Sequence, residues 1–440
     1  MHSSDDYLTR FLALHPKLID LKLDRIERLL QALGSPHEKL PPVIHVGGTN
    51  GKGSTVAFMR AILEATGLKV HVYTSPHLVR FHERIRLGAE GGGRYVPEAV
   101  LADAFRRCEQ ANQDQPITIF EITTAAALLL FAEHPADILL LEVGLGGRYD
   151  ATNVIAQPRA AVVTPVSMDH AEFLGDSVTK IAAEKAGIFK RGVPAIIAKQ
   201  EHDAALAVLE EGAEKVRAIP FVFGQQFNVQ EENGRLVYQD EDGLMDLPLP
   251  KLAGRHQHIN AGTAIAALRA GGFADLPIAA FEKGLQTVSW PARLQRITQG
   301  KLHALLPADS EFWLDGGHNP DGGEALAAFM AEREDARDRP LIMVVGMLGT
   351  KDSLHFLENF EGLAARLIAV PIKDQAAART PDDVMALARK NGLKAETASS
   401  AADALARIGA EQHAVAPRVL VTGSLYLAGE VLGENGTPPE

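Results

Sequence analysis

The stretch H-V-G-G-T-N-G-K-G-S-T-V, residues 45–56, holds the parts of a phosphate-binding loop in an unusual order. In the common pattern G-x-x-x-x-G-K-[ST], glycines let backbone N–H groups approach phosphate oxygens. The lysine reaches the β- and γ-phosphates, and the hydroxyl after it helps to hold Mg²⁺. Here Lys52 is followed by Gly53, Ser54 and Thr55 come one position late, and Val46 stands where the first glycine belongs. A glycine-rich turn with an exposed lysine would look the same in isolation. Context decides for phosphate: P-P-V-I-H-V-G-G reads as a buried strand before the loop. S-T-V-A-F-M-R-A-I-L-E-A-T-G reads as a helix after it, closed by Gly67, with its positive end facing the loop.

A nucleotide bound there brings a metal, and the displaced hydroxyl raises the question of what holds it. Mg²⁺ takes hard oxygen ligands and keeps several waters, so few protein contacts are needed. Open α/β sheets bind ligands outside the carboxyl ends of their strands. Three strand ends qualify: V-Y-T-S-P-H offers Ser75, L-L-L-E-V-G-L-G-G offers Glu142, and V-S-M-D-H offers Asp169 and His170. Each has a plain alternative, a turn before Pro76, a surface acid, or a helix-capping histidine. Glu142 is the hardest to explain away, because a carboxylate closing the run D-I-L-L-L-E-V-G is costly unless paired or coordinating.

The elements that must position these groups follow one rhythm: short apolar run, glycine-bearing turn, helical pattern. K-V-H-V-Y-T-S, A-D-I-L-L-L-E-V-G, A-A-V-V-T-P-V-S and V-P-A-I-I-A are further buried strands, and S-V-T-K-I-A-A-E-K-A-G-I-F-K is a helix between the last two. Unbroken apolar strands alternating with helices indicate a parallel sheet covered on both faces. F-N-V-Q-E-E-N-G-R-L-V-Y-Q-D-E-D-G-L-M-D-L-P-L-P breaks the rhythm, and its N-G and D-G turns predict a β-hairpin excursion. Two helices follow, and at W-P-A-R-L-Q the strand–helix pattern restarts with E-F-W-L-D-G-G, P-L-I-M-V-V-G-M, A-R-L-I-A-V-P-I and P-R-V-L-V-T-G-S. The fold class is therefore α/β. A P-loop-type parallel-sheet domain with a β-hairpin excursion is expected over residues 1–289, and a smaller doubly wound Rossmann-like domain over 290–440. The tail G-E-N-G-T-P-P-E reads as frayed.

The chain has 440 residues, which suits two domains. A net charge of −12 leaves no basic excess to meet a nucleic acid or a membrane surface, although a local basic pocket could take a small anion. The single cysteine, Cys108, excludes an intrachain disulfide and fits a reducing cytoplasm. It lies in V-L-A-D-A-F-R-R-C-E-Q-A, an amphipathic helix, where it reads as a small core residue. The start of the chain has no signal-peptide pattern, and A-A-A-L-L-L-F-A-E-H is too short to span a membrane.

Taken together, G-T-N-G-K-G-S, T-S-P-H-L, L-E-V-G-L-G-G-R-Y-D-A-T-N, S-M-D-H, E-K-A-G-I-F-K, P-A-R and D-G-G-H-N-P resemble the folylpolyglutamate synthase/dihydrofolate synthase family of the Mur-ligase superfamily. The motifs come in the family's order and run from residue 45 to G-S-L-Y-L-A-G near the end. The family's loop also carries glycine after the lysine. The resemblance implies that Thr49, Asn50, Gly51, Lys52, Gly53 and Ser54 take the phosphates, and that Ser75, Glu142 and His170 hold Mg²⁺. It also implies that Lys185 is carbamylated and helps to place a second Mg²⁺; from spacing alone Lys185 reads as a helix lysine with its head in solvent. Carbamylation needs a neutral amine, which burial supplies by lowering the lysine pKa.

In the second half the resemblance puts Arg293 on the phosphates, Asp315 at or near the ribose and Asn260, from before the boundary, near the base, with His318 in the same motif as Asp315. The usual form of that motif is D-x-A-H-N-P, so Gly317 is a departure that implies a looser turn. The pterin is implied along Phe120, Glu121, Thr123, Gly147, Arg148 and Asp150, and L-glutamate near Arg84, His318 and Ser424. A plain core aromatic is the rival reading of Phe120.

The implied reaction is ATP-dependent amide formation joining L-glutamate to dihydropteroate and to folates, with Lys52, Lys185 and His170 at its centre. A substrate carboxylate becomes an acyl phosphate, and the glutamate amino group displaces phosphate. No side-chain nucleophile is required, and none is evident. The implied ligands are small molecules, with neither nucleic acid nor membrane as a partner, and a monomer is expected. Three rivals stand beside this reading: an enzyme with the polyglutamylating activity alone, a Mur-type ligase for a cell-wall UDP-sugar precursor, and a non-catalytic nucleotide-binding regulator. The phosphate loop begins only about forty residues in, too soon for the extra preceding domain of a cell-wall ligase.

Overall fold

The computed structural model describes residues 2–17 and 19–440. Its first sheet has eight strands: β1 (Val43–Gly47), β2 (Val70–Tyr73), β3 (Ile85–Leu87), β4 (Arg94–Tyr95), β5 (Ile138–Glu142), β6 (Ala160–Val163), β7 (Pro194–Ile197) and β8 (Ile219–Val222), in the spatial order β4-β3-β2-β5-β1-β6-β7-β8. From β2 to β8 every neighbouring pair is parallel; only β2/β3 and β3/β4 are antiparallel. The inner strands are buried along their whole length, as unbroken apolar runs require when helices cover both faces. In register, Val46 lies beside Glu142 and Gly47 beside Val163. The phosphate-type loop, Glu142 and the segment leading to His170 therefore leave one edge of the sheet side by side.

The predicted hairpin excursion is a three-stranded antiparallel meander, β9 (Phe227–Glu232), β10 (Arg235–Asp240) and β11 (Gly243–Pro248), separate from the main sheet. Its alternating side chains Phe227, Val229, Leu236, Tyr238 and Leu247 join the core that also contains the helices Lys52–Glu64 and His256–Leu268. The third strand was hidden in G-L-M-D-L-P, where exposed residues dilute the apolar signal.

The second sheet has six strands, β12 (Gln295–Ile297), β13 (Glu311–Leu314), β14 (Leu341–Val345), β15 (Ala364–Ala369), β16 (Ala395–Thr397) and β17 (Arg418–Thr422), in the order β12-β13-β17-β14-β15-β16. All pairs are parallel except β12/β13. The helices Pro320–Ala336, Pro381–Lys390 and Ala401–Ala410 connect its strands. The tail is more ordered than its composition predicts. The helix Leu425–Asn435 takes in its first three residues, and Asn435 accepts from Leu302 N–H at 2.9 Å and donates to the Gln299 carbonyl at 2.9 Å. A-A-A-L-L-L-F-A-E-H belongs to the buried helix Ile119–Glu133, and among the described residues no helix is long and apolar enough to cross a membrane. Cys108 is fully buried, and burial pushes its thiol up to about 12.

At the amino ends of β13 and β17, opposite the loops that carry the candidate groups, Arg418 Nε donates to Glu311 Oε2 at 2.9 Å, with both side chains buried. Burial alone would raise the Glu311 carboxyl; hydrogen bonds from Arg418 and Trp313 outweigh it and hold the group down to about 2. A depressed acid contributes stability that is present above its unfolded value of 4.5 and is lost as pH falls through the folded value. Glu311→Ala leaves the Arg418 guanidinium buried and unpaired, and should lower the unfolding free energy by about 3 kcal/mol or more at pH 7. Urea titrations should show that deficit shrinking between pH 4.5 and 2, with ADP affinity at pH 7 unchanged.

Candidate active site

The loop after β1 and the helix Lys52–Glu64 form the floor of a cleft of about 700 Å³, with Asp315, Gly316 and His318 from the end of β13 on the opposite side. Thr49 and Asn50 both donate their N–H groups to the Pro165 carbonyl, at 2.9 and 3.2 Å, and the Thr49 hydroxyl accepts from Ser167 N–H at 3.1 Å. The loop is thereby stitched to the segment following β6. Lys52 folds back and donates to the carbonyls of Gly48 and Thr49, each at 3.2 Å, and burial pushes its ammonium down against the pull of Glu142. Gly51 caps the helix, Asn260 lies over it, and Ser54 accepts from the Gln257 side chain at 3.4 Å.

Gly53 follows the lysine because a side chain there has no room. A Cβ would stand 2.6 Å from Cζ2 of Trp290, which packs on this helix from the segment between the two sheets. The hydroxyl that follows the lysine in the common loop therefore has no room at this position.

Ser75 and Glu142 line the same cleft as His170 and Lys185, and Ser75 N–H donates to Glu142 Oε2 at 3.4 Å. Glu142 is 4 % exposed, and burial pushes its carboxyl up to about 7 although Lys52 and Arg293 pull it down. Lys185 is buried too, donates to the Gly48 carbonyl at 2.8 Å, and is pushed down to about 7 by burial with the charge of Lys52 adding to it. The solvated-head alternative for Lys185 is therefore excluded by its burial.

Asp169 binds the second half. Lys351, from the loop after β14, places Nζ at 2.5 Å from its Oδ1, and His318 Nε2 lies 3.5 Å from its Oδ2. Burial would raise the Asp169 carboxyl; the His318 contact and the Lys351 charge hold it far below the usual range. His170 sits beside Asp169, with Nε2 at 3.4 Å from Lys351 Nζ. Asn50 and Asn319 exchange two side-chain hydrogen bonds, at 2.9 and 3.3 Å. Arg293 lies in the cleft wall between Ala292 and Leu294, both in left-handed backbone with φ of 55° and 42°, a strained conformation of the kind that collects at functional sites. Asp315 fastens this turn by accepting from Leu294 N–H at 2.7 Å and from Gly317 N–H at 2.6 Å. The looser turn expected from Gly317 is not what the structure shows. Gly317 O also accepts from Gly423 N–H at 3.0 Å, and Leu326 closes the space where a Cβ would be.

A smaller cavity of about 310 Å³ adjoins the cleft at Ser75, His170 and His318. Phe120, Glu121 and Asp150 line it, as do Arg84 and Ser424. Glu121 is already occupied: it caps its own helix through Thr118 and accepts from Arg25 Nε at 3.0 Å. Asp150 is likewise saturated by Thr152 and Leu145 N–H, while His45 reaches Thr152 Oγ1 at 2.8 Å. Arg84 is half-buried and, among the described residues, has no ion-pair partner, its side chain donating to His77 Nδ1 at 3.0 Å. The Ser424 hydroxyl accepts from Tyr426 N–H at 3.1 Å. Three residues expected in this group lie elsewhere. Thr123 is fully buried, with its hydroxyl donating to the Ile119 carbonyl; Gly147 packs against the helix Val178–Ala186; and Arg148 points outward along that helix toward Glu184. Trp290, Lys351 and Gln257 also lie at the site and carry no local motif that would have marked them, whereas Asn319 stands within D-G-G-H-N-P but was not singled out.

Comparison with known proteins gives a consistent picture. Residues 46–268 match the Mur ligase middle domain and residues 299–434 the dihydrofolate synthetase C-terminal domain. The chain is 34 % identical over 423 residues to a dihydrofolate synthase/folylpolyglutamate synthase of Escherichia coli, covering 95 % of this chain and 92 % of that protein. Its fold superposes on E. coli FolC in complex with DHPP and ADP with a TM-score of 0.87 at 32 % identity, covering 98 % of this chain and 97 % of that one. A bifunctional folylpolyglutamate synthase/dihydrofolate synthase with Mn, AMPPNP and L-glutamate bound gives a TM-score of 0.83 at 29 % identity, covering 98 % of both.

The packing of Trp290 on Gly53 yields a test. Gly53→Ser, which restores the common loop order, should weaken ADP binding on the order of tenfold, because the indole and the loop cannot both keep their places. Trp290→Ala in the same chain should recover most of that loss, read by calorimetric titration with ADP.

Proposed function

This chain belongs to the dihydrofolate synthase/folylpolyglutamate synthase family of Mur-type ligases, and we propose on that footing that it joins L-glutamate to dihydropteroate and to folates at the expense of ATP. The observation that carries this reading is the pair of adjoining cavities with a shared wall at Ser75, His170 and His318, one large enough for a nucleotide and one for a flat acceptor.

ATP occupies the larger cleft, with its phosphates on residues 49–54 and under Arg293, its ribose toward Asp315, and its base between Asn260 and the edge of β9. The pterin lies in the smaller cavity against Phe120, with Glu121 and Asp150 shaping the wall. Arg84, Ser424 and His318 face the L-glutamate. Arg84 supports this, since a half-buried guanidinium without a counter-ion suits a substrate carboxylate. The acceptor carboxylate attacks the γ-phosphorus, ADP leaves, and the resulting acyl phosphate is attacked by the glutamate amine, which expels phosphate. Lys52 and Arg293 screen the approach of two anions. Most of the acceleration is orientation of three substrates across two halves of the chain.

Among the described residues no three His, Cys, Asp or Glu side chains gather as a metal cluster. Ser75, Glu142 and His170 nevertheless fit Mg²⁺ that keeps water and phosphate ligands: a buried carboxylate with no cation in ion-pair contact is a hard oxygen donor in need of one. When bound, the ion adds charge stabilisation at the γ-phosphate. Lys185 is assigned as the carbamylated lysine of a second site. An amine held near pH 7 is substantially neutral there and can add CO₂ with loss of a proton. We set the division between the two units at residue 290, between α-helical Ile278–Thr287 and β12. Both halves of the site come from one chain, which supports a monomer, and the lone buried Cys108 supports a reducing cytoplasm.

Purified protein should release ADP in a manner dependent on both L-glutamate and a pterin acceptor, with dihydropteroate and a reduced folate each sufficing. Release with the folate alone would restrict it to polyglutamylation; release with neither would end the reading. Lys185→Ala should lose at least about a hundredfold in kcat while still binding ADP, whereas a regulatory nucleotide binder would show no turnover to lose.

A further inference from the structure

Residues 75–84 form one loop that carries Ser75 at its start and Arg84 at its end. Its neck is closed by Thr74 N–H donating to the Arg84 carbonyl at 3.1 Å. Its interior is closed by Glu83, which is 9 % exposed. Glu83 Oε2 accepts from Leu78 N–H at 2.7 Å, and Oε1 accepts from Val79 N–H at 2.9 Å and Arg80 N–H at 2.7 Å. Three consecutive backbone donors thus converge on one carboxylate, an arrangement of charge-assisted bonds that fixes an otherwise irregular segment.

The far side of the same loop is where the second half docks. Leu78 and Val79 pack into the core of the six-stranded sheet. The helix Leu425–Asn435 crosses the loop at Gly429, where a Cβ would lie 1.9 Å from the Leu78 carbonyl oxygen. Only glycine permits that approach of helix to loop backbone. At its near side the loop sets Ser75 against Glu142. One carboxylate therefore holds the stretch that joins the docking surface to the strand end bearing the hydroxyl.

We propose that Glu83 is a positioning residue for the ligase reaction: its grip on Leu78, Val79 and Arg80 fixes the Ser75 hydroxyl beside Glu142 and presents the seat on which Gly429 closes. The inference rests on the assignment of Ser75 to the metal. Glu83 touches neither metal nor substrate; it acts through the loop. In Glu83→Gln one acceptor oxygen becomes an NH₂ that faces backbone donors, so at least one of the three bonds is lost while the side-chain shape is kept. Gly429→Ala perturbs the same loop from the opposite half.

The experiment compares the full-length protein with Ser75→Ala, Glu83→Gln and Gly429→Ala. Calorimetry measures ADP affinity without metal and its tightening by Mn²⁺, and steady-state kinetics measures kcat and KM. Ser75→Ala should lose the Mn²⁺-dependent tightening. Glu83→Gln should reduce that tightening and kcat by about 10–100-fold, with metal-free ADP affinity unchanged, as expected for a group that orients a metal ligand. Gly429→Ala should move both in the same direction. If Ser75→Ala abolishes the tightening while both other variants keep it, the proposal falls and the metal assignment stands. If Ser75→Ala keeps it, the metal assignment fails and takes the proposal with it. A Glu83→Gln protein that loses metal-free ADP affinity in equal measure would mark a general structural role and overturn the proposal. Should Glu83→Gln not fold, Gly429→Ala decides: reduced tightening supports the proposal and unchanged tightening defeats it.

Discussion

The constraint on which the structure depends is that charged groups without an ion-pair partner are held largely out of water at the edge of one sheet. Glu142 ends a strand whose every residue is buried, and its carboxyl sits near neutrality because solvation has been withdrawn. Lys185 and Lys52 are depressed for the same reason a short distance away. Charges taken out of water without an ion-pair partner cost several kcal/mol each, which no ordinary folding requirement would explain. The eight-stranded sheet offsets that cost by its size. Its central strands bury continuous Val, Ile and Leu on both faces, so the edge at which they end can be rigid without being individually stable. A site built this way has the charge to suit small anions and cations together.

The same constraint explains which parts were legible from the sequence. Strand, glycine-rich turn and helix are local patterns, and strand ends are where ligands bind, so Lys52, Ser75, Glu142 and His170 could be found by reading along the chain. Trp290 and Lys351 could not. Trp290 meets Gly53 across more than half the chain, Lys351 meets Asp169 from a loop 182 positions away, and Asn319 meets Asn50 at a separation of 269. Nothing in W-P-A-R or G-T-K-D signals such contacts. The misplaced pterin residues fail for a different reason. The resemblance implies Thr123 beside the pterin, but it lies in a helix, where the hydroxyl turns back to the carbonyl four residues earlier. Arg148 belongs to a loop whose direction is set by packing on a neighbouring helix, which spacing does not encode.

The division of the site between two sheets follows from the chemistry as much as from topology. A carboxylate and a triphosphate must meet without water, so the cationic groups that permit the meeting are best contributed from both sides. Asp169 shows the electrostatic logic. Its carboxylate belongs to the first half and would be left desolvated there alone, beside Lys52 but with no direct contact to it. Lys351 and His318, both from the second half, complete it. The reciprocal Asn50–Asn319 amide pair adds an uncharged contact in which each side chain is both donor and acceptor, so it registers alignment of the halves and not merely proximity. Contact through Asn50 reaches the phosphate loop itself, and contact through Leu78 reaches the loop of Ser75. The second half therefore touches both of these segments of the first through short, stiff connections. Disturbing either should be felt as altered catalysis before it is felt as lost folding, because the cores on each side remain intact.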